Sequence, residues 1–170
     1  MCYDISLTSS IKKLEKYFAN TIMDDQLNLD FDMAHNMTHI IGHAHSEHPV
    51  FYIPTNDTLP HCKLMEWGVI PFYVKDELAY KKQRSSMLNI RSERILNDTK
   101  SYWYKIKNRR CLIPITGFYE HREVAGFTKK IPYYLGLKAQ PLFFVPGLYS
   151  VAELPDKSTG EMIKRYTYGI

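Results

Sequence analysis

Apolar side chains along this chain of 170 residues recur at strand-like intervals far more often than at helical ones. Val50 to Ile53, Leu64 to Ile70, Cys111 to Ile115, Phe118 to His121, Pro132 to Leu137, Leu142 to Val151 and Ile163 to Ile170 read as strands. Turn chemistry separates several of them: Asn56-Asp57 framed by Pro54 and Pro60, then Ala125-Gly126, then Ser158-Thr159-Gly160. Helical spacing shows at the N-terminal end, where Ile11, Leu14, Tyr17 and Phe18 share one face behind Ser9 and Ser10. Asp76 to Arg84 reads as a loop or surface helix, and Arg91 to Leu96 and Ser101 to Lys107 as short helical pieces. Many short strands with few helices predict an α+β fold, β-rich, built on a curved or barrel-like, mostly antiparallel sheet. The length suits a single domain. The last strand stops at Ile170 in mid-pattern, so residues 1–170 read as one domain lacking its C-terminal portion, with a sheet edge left uncovered.

Charge and composition narrow the partners. The formal net charge of +4 is a mild basic excess that permits an anionic partner without demanding one. Thirteen Tyr, eight Phe and two Trp offer rings for a core or for stacking. The three cysteines, Cys2, Cys62 and Cys111, cannot pair completely and show no CxxC spacing, which suits reduced thiols and a cytoplasmic home. No apolar run approaches the length of a membrane span, and the first residues lack a signal-peptide core, so no membrane partner is expected.

Candidate chemistry starts at Cys2. Initiator methionine is normally trimmed before a small second residue, and trimming would leave a cysteine with a free α-amine. Such a 1,2-aminothiol carries two nucleophiles on adjacent carbons, titrating near ~8 and ~8.5. The amine condenses with an aldehyde, and the thiol then closes a five-membered thiazolidine. A second-position cysteine that is merely buried or frayed is the plain alternative.

Three further stretches carry polar or aromatic groups at telling places. Leu88-Asn89-Ile90-Arg91-Ser92-Glu93 reads either as a pocket wall, with an amide to orient a substrate and a guanidinium for phosphate, or as a capped surface helix; spacing alone favours the helix. The segment from Arg109 to His121 runs through Gly117 into Glu120-His121, where a glutamate among aromatics suits acid–base work. Strand alternation puts Glu120 and His121 on opposite faces, so they are not expected to form a dyad. Trp67-Gly68-Val69-Ile70-Pro71-Phe72-Tyr73, with Arg84, Arg91 and Arg94, suits base stacking and phosphate contacts, although Trp67 and Phe72 read equally as core. His35, His39 and His43 have the i, i+4 spacing of helical zinc ligands, but Gly42 and Pro49 oppose a helix there and no cofactor or metal is expected.

Taken together, Cys2, Trp67-Gly68-x-x-Pro71, Asn89-Ile90-Arg91-Ser92-Glu93, and Arg110-Cys111-Leu112-Ile113-Pro114 leading into Gly117-Phe118-Tyr119-Glu120 resemble the SRAP proteins, the SOS-response-associated peptidase or abasic-site-processing family. The resemblance implies that the mature Cys2 forms a thiazolidine DNA–protein crosslink with the ring-opened aldehyde of an abasic site in single-stranded DNA. It implies that Asn89 helps place the cysteine and the opened sugar. Glu120 would serve in proton transfer and in removing residues ahead of the cysteine, giving a limited peptidase action. It implies a phosphate contact from Arg91 and a strand-junction place for Tyr73; with Trp67 and Pro71 of the matching motif, and Arg84 read with the aromatic stretch, these are the expected DNA contacts, with replication-associated factors as partners and association with the nucleoid when bound to DNA. The family usually follows its cysteine with Gly-Arg, where this chain has Tyr3-Asp4, and its downstream histidine has no counterpart beyond His121. Two other readings stay open: an N-terminal-cysteine peptidase or amidohydrolase, and a non-catalytic single-strand-binding module with Cys2 incidental.

Overall fold

The computed structural model describes residues 3–9, 17–18, 20–24, 37–156 and 158–170, with the backbone alone at residue 79. Ten strands follow in chain order: β1 (Asp4–Ser6), β2 (Ile22–Met23), β3 (Ile40–Ile41), β4 (Glu47–Tyr52), β5 (His61–Trp67), β6 (Arg110–Ile115), β7 (Gly117–Arg122), β8 (Ile131–Leu135), β9 (Phe143–Pro155) and β10 (Met162–Gly169). Between β5 and β6 lie three short helices, α1 (Glu77–Arg84), α2 (Ser92–Leu96) and α3 (Tyr102–Lys105).

Strands β10, β9, β6, β4 and β5 are hydrogen-bonded in that order, antiparallel throughout. β10 then pairs in parallel with β5, through Thr167 opposite Glu66 and Tyr168 opposite Trp67, so the five strands close into a barrel. Closure removes an edge along the end of β10, where the sequence pattern leaves one open. β2 takes the other half of the same β5 edge, with Ile22 opposite His61. A second, antiparallel sheet has the order β3-β1-β7-β8. Ile5, Leu7 and Ile40 of this part of the chain are buried in one cluster with Val50, Phe51, Met65, Trp67 and Ile113 of the barrel. An α+β, β-rich protein with a curled sheet is the result. Among the described residues no helix is long and apolar enough to cross a membrane.

The strand pattern locates the longer elements, and the differences from it are physical. β5 begins at His61 and ends at Trp67 because Gly68, at φ +102°, turns the chain out of the sheet in a conformation other residues rarely adopt. The Asn56-Asp57 turn is held by Asp57, whose Oδ1 accepts from the Thr58 and Leu59 N–H groups at 2.6 and 3.0 Å. β1, β2 and β3 span only two or three residues, too few for a period to show. The expected helix behind Ser9 lies mostly outside the described residues. Phe18 at its end stacks on Phe51 at 4.5 Å and meets Phe144 edge-on at 5.2 Å.

Candidate functional site

β1 runs between β3 and β7, with Asp4 opposite both Ile41 and Tyr119. Continuing the β1–β7 count by one residue brings Tyr3 level with Glu120. The Tyr3 carbonyl accepts the Gly42 N–H at 2.7 Å, and its ring stacks on His43 at 5.3 Å. Gly42 is wedged: a Cβ there would lie 3.2 to 3.3 Å from Tyr3 O, Leu88 Cδ1 and Trp67 Cδ2. The start of the described chain, the Leu88 segment and the glutamate-bearing strand therefore meet at one corner. Cys2 lies outside the described residues.

Asn89 follows Leu88, the residue that reaches this corner. Its neighbours are pinned on both sides: Leu88 O accepts from the Trp67 indole N–H and from the Ile170 N–H, each at 3.0 Å, and the Ile90 N–H donates to Ile170 O at 2.6 Å. The Asn89 Nδ2 is shielded from solvent and has no hydrogen-bond acceptor among the described residues. A buried donor left unpaired costs about 1–3 kcal/mol, so its position is that of a group available to a ligand. Glu120 is half-buried on β7, and alternation turns it away from the face that carries Tyr119 and His121. His121 lies with its Nε2 3.6 Å from Asp4 Oδ2, which keeps it apart from Glu120 as the alternation requires.

The five expected DNA contacts divide. Tyr73 is 56 % exposed and packs edge-on against Phe72 and Tyr102, each at 5.7 Å. Arg91 is exposed, caps α2, and makes no ion pair among the described residues. Trp67, Pro71 and Arg84 are interior. Trp67 stacks on Tyr168 with 13° between the planes and spends its N–H on Leu88, so it offers no face to a base. Arg84 donates to Gly68 O at 2.9 Å and to Glu66 Oε2 at 2.7 Å, so it is built into the fold and cannot reach a phosphate. Composition hides this distinction, because a buried paired arginine and a phosphate-binding arginine look alike in sequence.

Among the described residues, the histidine-rich stretch forms no shared helical face. His35 lies outside the described residues, His39 precedes β3, and His43 sits in a 3-10 turn over Gly42–Ala44. Each of the other histidines is used differently. His45 Nδ1 lies 2.8 Å from Trp67 O, and burial holds its pKa below the ordinary value. His48 is fully buried, its Nε2–H donates to Pro114 O at 2.8 Å, and burial lowers its pKa to about 4. His61 bridges Asp24 and Asp57; burial pulls its pKa down, but the two carboxylates outweigh that and raise it. Among the described residues no group of three or more His, Cys, Asp or Glu side chains is placed to hold a metal ion.

Asp4 is the site feature that sequence reading undervalues. Only 6 % exposed, it has His39 Nε2 3.4 Å from Oδ1 and His121 Nε2 3.6 Å from Oδ2. The three lie 35 and 117 residues apart in sequence, so only the β3-β1-β7 pairing brings them together. Cys62 and Cys111 are buried thiols, and burial pushes the Cys111 pKa up, which makes it a poor nucleophile. An open apolar cavity of about 900 Å³, bordered by Phe51, Ile53, Ile90, Leu112 and Ile170, is lined by none of the described site residues.

Residues 1–169 match the family described as SOS response associated peptidase (SRAP). The abasic site processing protein YMR114C of Saccharomyces cerevisiae is 32 % identical over 101 residues, 59 % of this chain and 26 % of that protein. The abasic site processing protein YoqW of Bacillus subtilis is 37 % identical over 93 residues, 54 % of this chain and 38 % of that protein. The matched region thus spans well under half of these relatives. A crystal structure of a Bacteroides thetaiotaomicron protein superimposes with a TM-score of 0.75 at 28 % identity, over 99 % of this chain and 67 % of that one. A Bordetella bronchiseptica protein shares the fold, with a TM-score of 0.66 at 19 % identity, over 98 % of this chain and 70 % of that one. With nearly its whole length matched, this chain belongs to the SOS response associated peptidase (SRAP) family.

Proposed function

We propose that this protein processes abasic sites in single-stranded DNA by condensing the amine and thiol of a mature N-terminal Cys2 with the lesion's aldehyde. Met1 removal frees the α-amine. An abasic site rests mainly as a closed hemiacetal, so a proton must leave the anomeric hydroxyl and another must reach the ring oxygen as the ring C–O bond breaks. Glu120, half-buried and level with Tyr3, is the group that serves this exchange. The amine then adds to the aldehyde carbon, water leaves, and an imine forms. The thiol sulfur adds to the imine carbon while its proton passes to nitrogen, closing the thiazolidine. A lone lysine would stop at a reversible imine, and a lone thiol at a labile hemithioacetal.

The Asn89 Nδ2, shielded and without an acceptor among the described residues and borne one residue after Leu88 at the Tyr3 corner, supports this reading above any other observation. An amide donor held there without an acceptor is suited to an oxygen of the opened sugar. Exposed Arg91 supplies a phosphate contact, and Tyr73 a ring against which a strand end can stack. Trp67, Pro71 and Arg84 act from behind, by holding the segment that bears them. The same cysteine and glutamate give a limited self-processing peptidase action on residues ahead of Cys2.

Intact-protein mass spectrometry after mixing with a single-stranded oligonucleotide bearing one abasic site tests the chemistry. The expected adduct is protein plus oligonucleotide minus one water. It disappears in Cys2→Ala and when an uncleaved residue precedes Cys2. Absence of the adduct from protein whose mass shows Met1 removed would overturn the proposal.

A further inference from the structure

The outward side of the four-stranded sheet carries rings that packing has fixed in place. Tyr119 lies opposite Asp4 on one side and Tyr134 on the other, so the three share a face. The Tyr119 ring centroid is 5.2 Å from that of Tyr134 and 5.0 Å from that of His39. Tyr134 is 50 % exposed, yet it is held at two points. Its hydroxyl donates to Thr116 O at 2.9 Å, and its ring lies directly on Gly117, where any Cβ would overlap the ring. A half-exposed tyrosine is ordinarily free to turn about its side-chain bonds. This one has one side seated on backbone and another open to solvent, and it belongs to none of the hydrophobic clusters that stabilise the fold.

The charge around it is selective. The hairpin from Gly117 to Lys138 carries Arg122, Lys129, Lys130 and Lys138 against Glu120 and Glu123, a net excess of two positive charges by count. Lys130 is spent on Glu123 at 3.4 Å, and alternation puts Arg122, whose guanidinium lies 6.0 Å from the Tyr133 ring, on the other face with Glu120. Beside the rings themselves stands Asp4, a carboxylate that disfavours a phosphate directly above it. A flat, uncharged group fits this face: the rings accept it, and the charged chain that carries it runs clear of Asp4.

We propose that Tyr134, with Tyr119 beside it, is a stacking subsite for an unpaired nucleobase of the strand that carries the lesion. It rests on the single-strand reading above and adds a preformed contact to an intact nucleotide. Because the ring is already immobilised, little side-chain entropy is lost when a base lands on it.

The test is fluorescence anisotropy with a labelled, undamaged oligothymidylate, which reads non-covalent binding and does not depend on Cys2. Tyr134→Leu keeps an apolar side chain but removes the π face, and Gly117→Ala forces the ring off its seat. Each is expected to weaken binding about tenfold, with the slope of log Kd against log salt unchanged, since stacking releases no counterions. Melting temperatures checked in parallel confirm that both variants fold. Unchanged affinity in folded Tyr134→Leu would overturn the subsite while leaving the crosslinking chemistry standing. A loss that comes with a shallower salt slope would also overturn it, since the role would then be electrostatic. Absence of binding by the unaltered protein would remove the single-strand reading together with the subsite, whereas the mass-spectrometric adduct reports on Cys2 alone.

Discussion

Along the seam where β5 meets β10, four charged side chains close on one another; one residue past Leu88, the Asn89 Nδ2 is shielded without an acceptor among the described residues. At the seam, Arg84 and Arg165 are shared between Glu66 and Glu77, with Arg165 Nη1 2.5 Å from Glu77 Oε2 and Arg84 Nη2 2.7 Å from Glu66 Oε2. Arg84 is 4 % exposed, and its donors are spent within the fold. At the corner, Asn89 keeps a donor in hand and Arg91 keeps its charge in solvent. Both regions are polar, and each holds an arginine, Arg84 or Arg91, suited by type to a phosphate. What separates them is saturation: a paired buried charge is committed to its own structure, whereas an unpaired buried donor is free to bind something else.

The largest effect expected from this contrast is on stability. Arg84→Ala leaves Glu66 and Glu77 to share one arginine in a poorly solvated seam, and should lower unfolding free energy by about 3–5 kcal/mol in urea titrations. Crosslinking per folded molecule should stay near that of the unaltered protein. If Arg84→Ala kept full stability but lost salt-sensitive DNA binding, the assignment of the seam to structure would be wrong.

A second effect separates His48 from His61 by the sign of their pH response. His48, neutral in the fold with a pKa of about 4 against an ordinary 6.5, contributes stability that is fully present above pH 6.5 and is lost as pH falls toward 4. The difference corresponds to about 3 kcal/mol. His61, raised by its carboxylate partners, contributes stability that is present below pH 6.5 and fades as pH rises through its folded value. Chemical denaturation across pH 4 to 9 should show the acid arm vanish in His48→Gln and the alkaline fall shrink in His61→Asn. An acid arm that survives His48→Gln would assign it to other groups.

Asn89→Leu tests the corner directly. It removes a donor that has no acceptor in the free protein, so the melting temperature should hold or rise slightly, while the crosslinking rate should fall about a hundredfold for loss of one positioned donor. A protein destabilised by this change with its rate intact would make Asn89 a structural residue like Arg84.

The smallest effect concerns Asp4. Asp4→Asn removes a negative charge from the ringed face and should tighten binding of an undamaged single strand a few-fold at low salt, with the gain disappearing as salt is raised. A weakening of binding instead would mean that the carboxylate holds His39 and His121 in a geometry the strand needs.

Much of this molecule was legible before any coordinates. The seven longer strands, the Asn56-Asp57 and Gly160 turns, and the helical character of Arg91 to Leu96 follow from local alternation, turn residues and short-range spacing. Belonging to the SRAP family also follows from the order of its motifs, because that information lies along the chain. Solvent exposure within those motifs does not. Trp67 and Tyr73 stand six residues apart in one aromatic stretch, yet the chain stays in the core from Trp67 through Pro71 and only then brings Phe72 and Tyr73 to the surface. Arg84 and Arg91 stand seven apart, yet one meets Glu66 across the barrel seam and the other meets water. The Asp4–His39–His121 cluster and the seat of Tyr134 on Gly117 join residues from different strands, and neither leaves a local signature. Sequence by itself determined which chemistry the chain carries, since residue type and local period are properties of neighbours. Tertiary structure decided which of those groups are spent on the fold and which remain to bind, because pairing and burial depend on strands that meet only when the barrel closes.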